Sequence, residues 1–385
     1  MEISKRYSKR ELNGLPTPEE IVVEDLSSYI QLFSNGEFTN NYFRGEPTNY
    51  HNTISSGLRD VSSNIGFNAH IEPHTEVPFL SMKKEFKREV WYKLSSDERM
   101  HFSAFSQHHG IPTNLIDITT SPLVALYFAC QKFKNIQGSN DQFDEDKGFV
   151  YSFEDKFVDI TDILAKFEDE NILELFAYNR NDIFVDFYNL IFKFKEKNPH
   201  TFYQYFKKTI DEYHYNFSIL GESPFPDTLR PYDEGSYKSQ MPSYIKRIID
   251  YDPNLGFLFK QLDNLSSEVF AYTAYLQLFL RKVLDLKASI FWFNYIMPNF
   301  KYAPILTFER GRNQQGLFIY QTYLNYIEET YNTPVAVLQR VWPNKIIVIN
   351  NKENILKELD FMGINEKFIY GGYDHIASYI RNKFQ

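Results

Sequence analysis

The sequence predicts a mixed α/β fold of the α+β kind, a mixed-sheet core with a large aromatic-rich helical insertion. Three observations lead there. Alternating apolar segments lie towards both ends, the long stretch between them is helical in period, and one segment passes from strand to capped helix within a few residues. The 385 residues suffice for two or three folding units, or for one domain with a large insert. We divide the chain into 1–156, the N-terminal half of the α/β core, 157–300, a helical insertion or subdomain, and 301–385, the C-terminal part of the core.

Residues 18–34, PEEIVVEDLSSYIQLFS, read as a short helix with acidic residues in its first turn, where the helix dipole favours them. Residues 41–45 read as a strand. EFKREVWYKLSSDERMHFSAFSQHHG reads as a helix that stops at Gly110. TNLIDIT alternates, with Leu115, Asp117 and Thr119 on one face and Ile116 and Ile118 on the other. Ser121 is then an N-cap with Pro122 at the first helical position, and LVALYFAC, apolar all round, is a buried helix. GSNDQFDEDKG, residues 138–148, reads as a surface loop, and GFVYSFE after it as a strand. In the middle, NDIFVDFYNLIFKFKEKN, TFYQYFKKTIDEY and SEVFAYTAYLQLFLRKVLDL are helical, and GESPFPDTLRPYDEGSY is loop-like. Towards the end, QGLFIYQ, KIIVIN and EKFIY read as strands. NKENILKELDFMG is a helix between an asparagine and Gly363, and DHIASYIRNKF is a terminal helix.

Composition removes several function classes. A net charge of −9 without a basic tail or stripe argues against duplex nucleic acid as the ligand. One cysteine, Cys130, excludes an intrachain disulfide and a cysteine-rich zinc site, and it ends an apolar run as a small core residue. The longest near-apolar windows are shorter than the roughly twenty residues that span a bilayer, and the N-terminus lacks a signal-peptide stretch, so a soluble cytoplasmic protein without membrane contact is expected. There is no glycine-rich phosphate loop, G-x-S-x-G elbow or H-E-x-x-H, and no metal site is indicated. The 36 Phe and 28 Tyr are numerous enough to supply both a core and a stacking wall for a flat ligand.

Three short constellations carry chemistry. In NYFRGEPTNY, Tyr42, Arg44 and Glu46 share a strand face. Arg44 is placed to hold a phosphate through its guanidinium fork, with Gly45 allowing close approach of ligand or neighbouring chain. In QHHGIPTNLIDITTSP, Asp117 lies between two isoleucines and needs a partner, either Arg44 or the backbone donors of the TTSP cap. It orients a catalytic group or braces the turn. His108 and His109 end a helix and cannot point the same way. In FERGRNQQGLFIYQ, Arg310 and Arg312 flank a glycine, Gln315 opens a strand, and Glu309 is the nearest carboxylate. The competing reading of each stretch is structural: a solvent-facing arginine, a braced turn and a polar turn.

Together these stretches resemble the FRG domain family, named for the triplet seen here as Phe43-Arg44-Gly45. The long run QHHGIPTNLIDITTSPLVALYFA carries most of the resemblance, and RNQQGLF is similar to a later signature of the family. Ile118 departs from the tryptophan usual after the aspartate. The layout is in turn similar to that of ADP-ribosyltransferases, which implies NAD as ligand or co-substrate. On that analogy Arg44 and Gly45 hold its phosphates or ribose, and His109, Asp117, Thr119 and Ser121 support the nicotinamide. Gln315 stands where those enzymes carry a catalytic glutamate. A glutamine supplies no negative charge there, so Glu309 or Glu46 provides it, or the reaction differs, or the site only binds. The resemblance implies an NAD-consuming or ADP-ribosyl-transferring effector, a bacterial toxin or anti-phage defence protein, with a macromolecular target. The alternatives are a non-catalytic module sensing a nucleotide or phage protein, and a nuclease or hydrolase built on His108 or His109 with Asp117.

Overall fold

Runs of β-branched and aromatic residues towards both ends of the chain pair into one sheet. The computed structural model describes residues 15–50, 53–59, 78–133, 146–167, 169–178, 181–219, 234–262, 265–286, 296–328 and 333–384. The first part comprises β1 (Glu19–Val23), α1 (Leu26–Gln31), β2 (Tyr42–Glu46), α2 (Pro78–Val90), α3 (Ser96–Met100), α4 (Phe102–His108), β3 (Leu115–Thr119), α5 (Pro122–Ala129) and β4 (Gly148–Phe153). After β5 (Phe157–Asp159) come α6 (Thr161–Phe167), α7 (Ile172–Ala177), α8 (Asn181–Lys197), α9 (Pro199–Ile219), α10 (Glu234–Tyr251), α11 (Pro253–Gln261) and α12 (Ser267–Leu286). The last part comprises β6 (Asn299–Tyr302), α13 (Glu309–Asn313), β7 (Gly316–Tyr320), β8 (Tyr323–Glu328), β9 (Thr333–Leu338) and β10 (Lys345–Ile349). It closes with α14 (Lys352–Phe361), α15 (Glu366–Tyr370) and α16 (Tyr373–Lys383).

Among the described residues the sheet has eight strands in the order β1–β10–β4–β2–β3–β7–β6–β5, and β8–β9 form a separate hairpin. The outer pairs β1–β10 and β5–β6 are parallel and the inner ones antiparallel, so the fold is the mixed-sheet α+β class the sequence predicts. The helical stretch α6–α12 is inserted between β5 and β6, which are themselves hydrogen-bonded neighbours in the sheet.

Three expected elements come out differently. Residues 18–34 are not one helix: Glu19–Val23 pair with Lys345–Ile349 at the sheet edge, because Ile21-Val22-Val23 favours a strand. The helix begins only after Asp25, whose carboxylate accepts from the Ser28 amide at 2.7 Å. The long helix expected before Gly110 is three. Ser95 forms a capping box with Glu98 and opens α3, His101 interrupts again, and Gly110 at φ +86° ends α4. EKFIY is helix α15 and not a strand, since the Asn365 side chain caps it by accepting from the Phe368 amide at 3.2 Å. Residues 138–145 of the polar run at 138–148 and 221–233 of the expected loop at 221–237 lie outside the described residues, and 234–237 belong to α10 instead of the loop.

Alternation along the strands separates two faces. Ile116, Ile118, Phe149, Tyr151, Leu317, Ile319, Ile346 and Val348 form one cluster on one face. On the other face there are two clusters. Phe43, Val150, Ile347 and Ile349 pack under α5 and α14, whereas Leu115, Phe300, Tyr302, Phe318 and Tyr320 pack under the inserted helices. The second is strongly aromatic, with Phe176 and Phe187 centroids 4.5 Å apart. No helix among the described residues is long and apolar enough to cross a membrane.

α5 approaches the sheet more closely than side chains allow. A Cβ at Gly45 would stand 1.8 Å from the Ala125 carbonyl oxygen, and one at Gly148 2.2 Å from that of Ala129. Two glycines on neighbouring strands thus accept two alanines one helical turn apart. Gly45→Ala is expected to lose more than about 3 kcal/mol, beyond ordinary overpacking, because backbone must move. Gly110→Ala, with open space around it and only its positive φ against it, should lose about 1–2 kcal/mol. Denaturant unfolding of the two variants checks the contrast.

Candidate functional site

β2 pairs with β4 at five positions but with β3 only at Phe43–Thr119. One residue further the strands part. The Asp117 carbonyl is met by Arg44 Nη1 at 2.8 Å in place of a strand amide. Arg44 Nε donates to Glu46 Oε1 at 2.9 Å, and Thr53 Oγ1 donates to the same oxygen at 3.2 Å. Glu46 is 3% exposed, so its charge depends on these partners. Arg44 therefore splints a split in the sheet and is charge-balanced from behind. Its Nη2 makes no bond to the described residues.

A cavity of about 310 Å³ opens at this split, within the range of ligand pockets. It lies on the seam between the two cores: Phe43, Val124 and Phe128 come from the α5 side, and Ala104 and Phe318 from the inserted-helix side. Asp117 and Thr119 line it between them, and Leu306, Phe308 and Arg310 line it from the segment before β7. Asp117 is not buried, contrary to expectation. Its isoleucine neighbours point to the far face while Asp117 points into the cavity, and its carboxylate has no partner among the described residues.

His108 lines the cavity, stacked on Phe308 at 3.9 Å and 15°. Burial lowers its pKa to about 4, with the charges of His109 and Arg310 acting in the same direction, so it is neutral near pH 7. Arg310 stands 5.1 Å over the Tyr370 ring and forms no ion pair among the described residues. Its position is held by α15: Asn313 Nδ2 donates to the Phe368 carbonyl at 2.7 Å, and Gln314 Nε2 to the Ile369 carbonyl at 3.2 Å. The cavity is thus lined by Arg310, one carboxylate, a neutral imidazole and aromatic walls, with the Arg44 guanidinium in the split at its edge.

Of the residues expected at the site, Arg44, Gly45, Asp117 and Thr119 line this cavity. Of the two approaches expected at Gly45, the one seen is that of the neighbouring chain, α5. His109 is exposed and packs on Phe105 at 4.4 Å, outside the cavity. Ser121 caps α5, accepting from the Val124 amide, and does not line the cavity. Gln315 adopts φ +46° at the strand start, and its Oε1 accepts from Thr120 Oγ1 at 3.1 Å, again outside. Glu309 is exposed beside Gly371. Phe308 and Gln314 were not expected there, Arg310 was noted without a role, and His108 was singled out only for the hydrolase alternative. Phe308, Arg310 and Gln314 all lie in the third constellation, but no local signal showed which of its side chains turn inward.

The family model for the FRG domain matches residues 39–137, which include Arg44, His108, Asp117 and all of α5. The wall formed by Phe308 and Arg310 lies beyond the match. No curated protein and no solved structure matches the chain.

The stacked, desolvated setting of His108 gives a pH dependence. Between about 4 and 6.5 the unfolded chain binds the proton and the folded site does not, so acidification through this window removes stability. An NMR titration should show the His108 imidazole with a midpoint near 4. A midpoint near the ordinary 6.5 would mean that water reaches the ring freely.

Proposed function

Because the chain carries an FRG domain over residues 39–137, we propose that the cavity binds a nucleotide-class ligand and that the protein is an NAD-consuming, ADP-ribosyltransferase-like enzyme. One observation carries this reading. One cavity in an acidic chain places a guanidinium, Arg310, and a stacking surface, His108 on Phe308, beside a carboxylate, Asp117, neither of the two charges being paired among the described residues. A phosphate suits Arg310 and the open Nη2 of Arg44, while a flat base suits the aromatic walls.

In that arrangement the bond between ribose C1′ and the nicotinamide nitrogen breaks, with the electron pair leaving on nicotinamide. Positive charge develops at C1′ and the ring oxygen, and Asp117 is the carboxylate available to stabilise it. Neutral His108 adds no opposing charge beside that cation. Water or an acceptor nucleophile then bonds to C1′ and gives its proton to Asp117 or solvent. The family resemblance adds the role of an effector, a toxin or an anti-phage defence protein. A second reading, a binding module without turnover, is favoured by the location of Gln315 and Glu309 outside the cavity, where they supply no charge.

The test is incubation with nicotinamide-labelled NAD, alone and with cell lysate, alongside calorimetric titration. The wild type should release nicotinamide, and Asp117→Asn should be slower by about 10²–10³-fold while still binding. Arg310→Gln should bind more weakly and still fold, because among the described residues Arg310 makes no ion pair whose loss would disturb the fold. Arg310-dependent binding without release would establish the binding module. A folded wild type that neither binds nor cleaves NAD would end the enzyme reading.

A further inference from the structure

α16 is an amphipathic helix mounted with its apolar side outward. Its polar edge faces the protein: the His375 ring stacks on Tyr370 at 4.6 Å, and Tyr379 Oη donates to Asp360 Oδ1 at 2.6 Å. The opposite side carries Tyr373, Ile376, Ala377, Ile380 and, just beyond the helix, Phe384, at helical spacing. Tyr373 is 93% and Phe384 86% exposed, and no residue of α16 is buried. Phe361, 94% exposed, and Met362 follow Asp360 directly and are further exposed apolar residues. A contiguous patch of this kind on a folded surface marks an interface.

We propose that this face binds a second copy of the chain, α16 against α16, in an antiparallel two-fold pair. The charges on its flank choose the occupant. Asp374 and Arg381 are seven residues apart and so lie on the same flank of the apolar stripe. Neither forms an ion pair among the described residues. In an antiparallel pair each flank meets its own counterpart, which sets Asp374 against the partner's Arg381 twice over. The helix dipoles oppose as well, and Ala377 at the centre lets the two backbones come close. An anionic lipid surface would instead favour cations along the whole flank, and Asp374 at the helix start stands against it.

The test is sedimentation velocity on the full chain at about 1–100 µM, where an interface of this class assembles. The wild type should dimerise. Ile380→Asp should weaken the dimer by more than about tenfold, because a charge would be buried in the interface. Asp374→Arg alone and Arg381→Asp alone should each weaken it, while an equimolar mixture of these two variants should form heterodimers, since every flank pair is then of opposite sign. All these positions are exposed, so circular dichroism should show unchanged folding. A wild type monomeric throughout this range overturns the proposal. So does a dimer indifferent to Ile380→Asp, a mixture that does not associate, or a monomer that sediments with phosphatidylserine vesicles.

Discussion

The contact between α5 and the two glycines beneath it sets the geometry on which the rest depends. Ala125 and Ala129 bring the helix backbone against β2 and β4, at a spacing that any side chain at Gly45 or Gly148 would prevent. That contact binds the helix, β2 and β4 into one unit with the apolar residues of β10. It also fixes where β2 can go. β2 remains with β4 over its full length and leaves β3 after a single pair, so the sheet opens on the side away from β4.

The opening is polar backbone that must be satisfied without a ladder. Arg44 does this from the side chain, reaching the Asp117 carbonyl on one side and Glu46 on the other. The same substitution of side chain for backbone leaves space on the seam between the two cores. Residues that would be core elsewhere become a wall there, and Asp117 meets solvent because no strand or helix covers it. The cavity is thus a consequence of packing two separate clusters on one sheet face, and its charge arises from what the seam exposes.

Its second wall comes from far away in the chain. α13 carries Arg310 and follows Phe308, and α15 holds α13 through Asn313 and Gln314. α15 in turn bears Tyr370, which lies under Arg310 and stacks on His375 of α16. The cavity wall and the outward-facing terminal helix therefore share one short column of rings. The family match accounts for the first wall and not for this column, which the aromatic composition alone did not locate.

Local signals were sufficient where a residue's role is settled by its immediate neighbours. The alternation of Leu115–Thr119, the Ser121-Pro122 cap and the apolar helix after it could be read directly, as could the aromatic helices and the strands of Gly316–Tyr320 and Lys345–Ile349. Short segments could not be assigned in this way. The β-branched run Ile21-Val22-Val23 allows a strand at Glu19–Val23 but pairing with β10 settles it, and Glu366–Tyr370 has strand-like residues that the cap at Asn365 overrides. At the site, sequence order placed Arg44 and Asp117 in the chemistry but not their relation, which is between a guanidinium and a backbone carbonyl. The choice between His108 and His109 is one step of helix phase, about 100°, and it is decided by Phe308, two hundred positions on in the chain. Gln315 and Glu309 bear the right chemical groups, but a positive φ at one and exposure of the other turn them away from the cavity. Which side chains share a space depends on how distant segments pack, and pattern along the chain carries no measure of that.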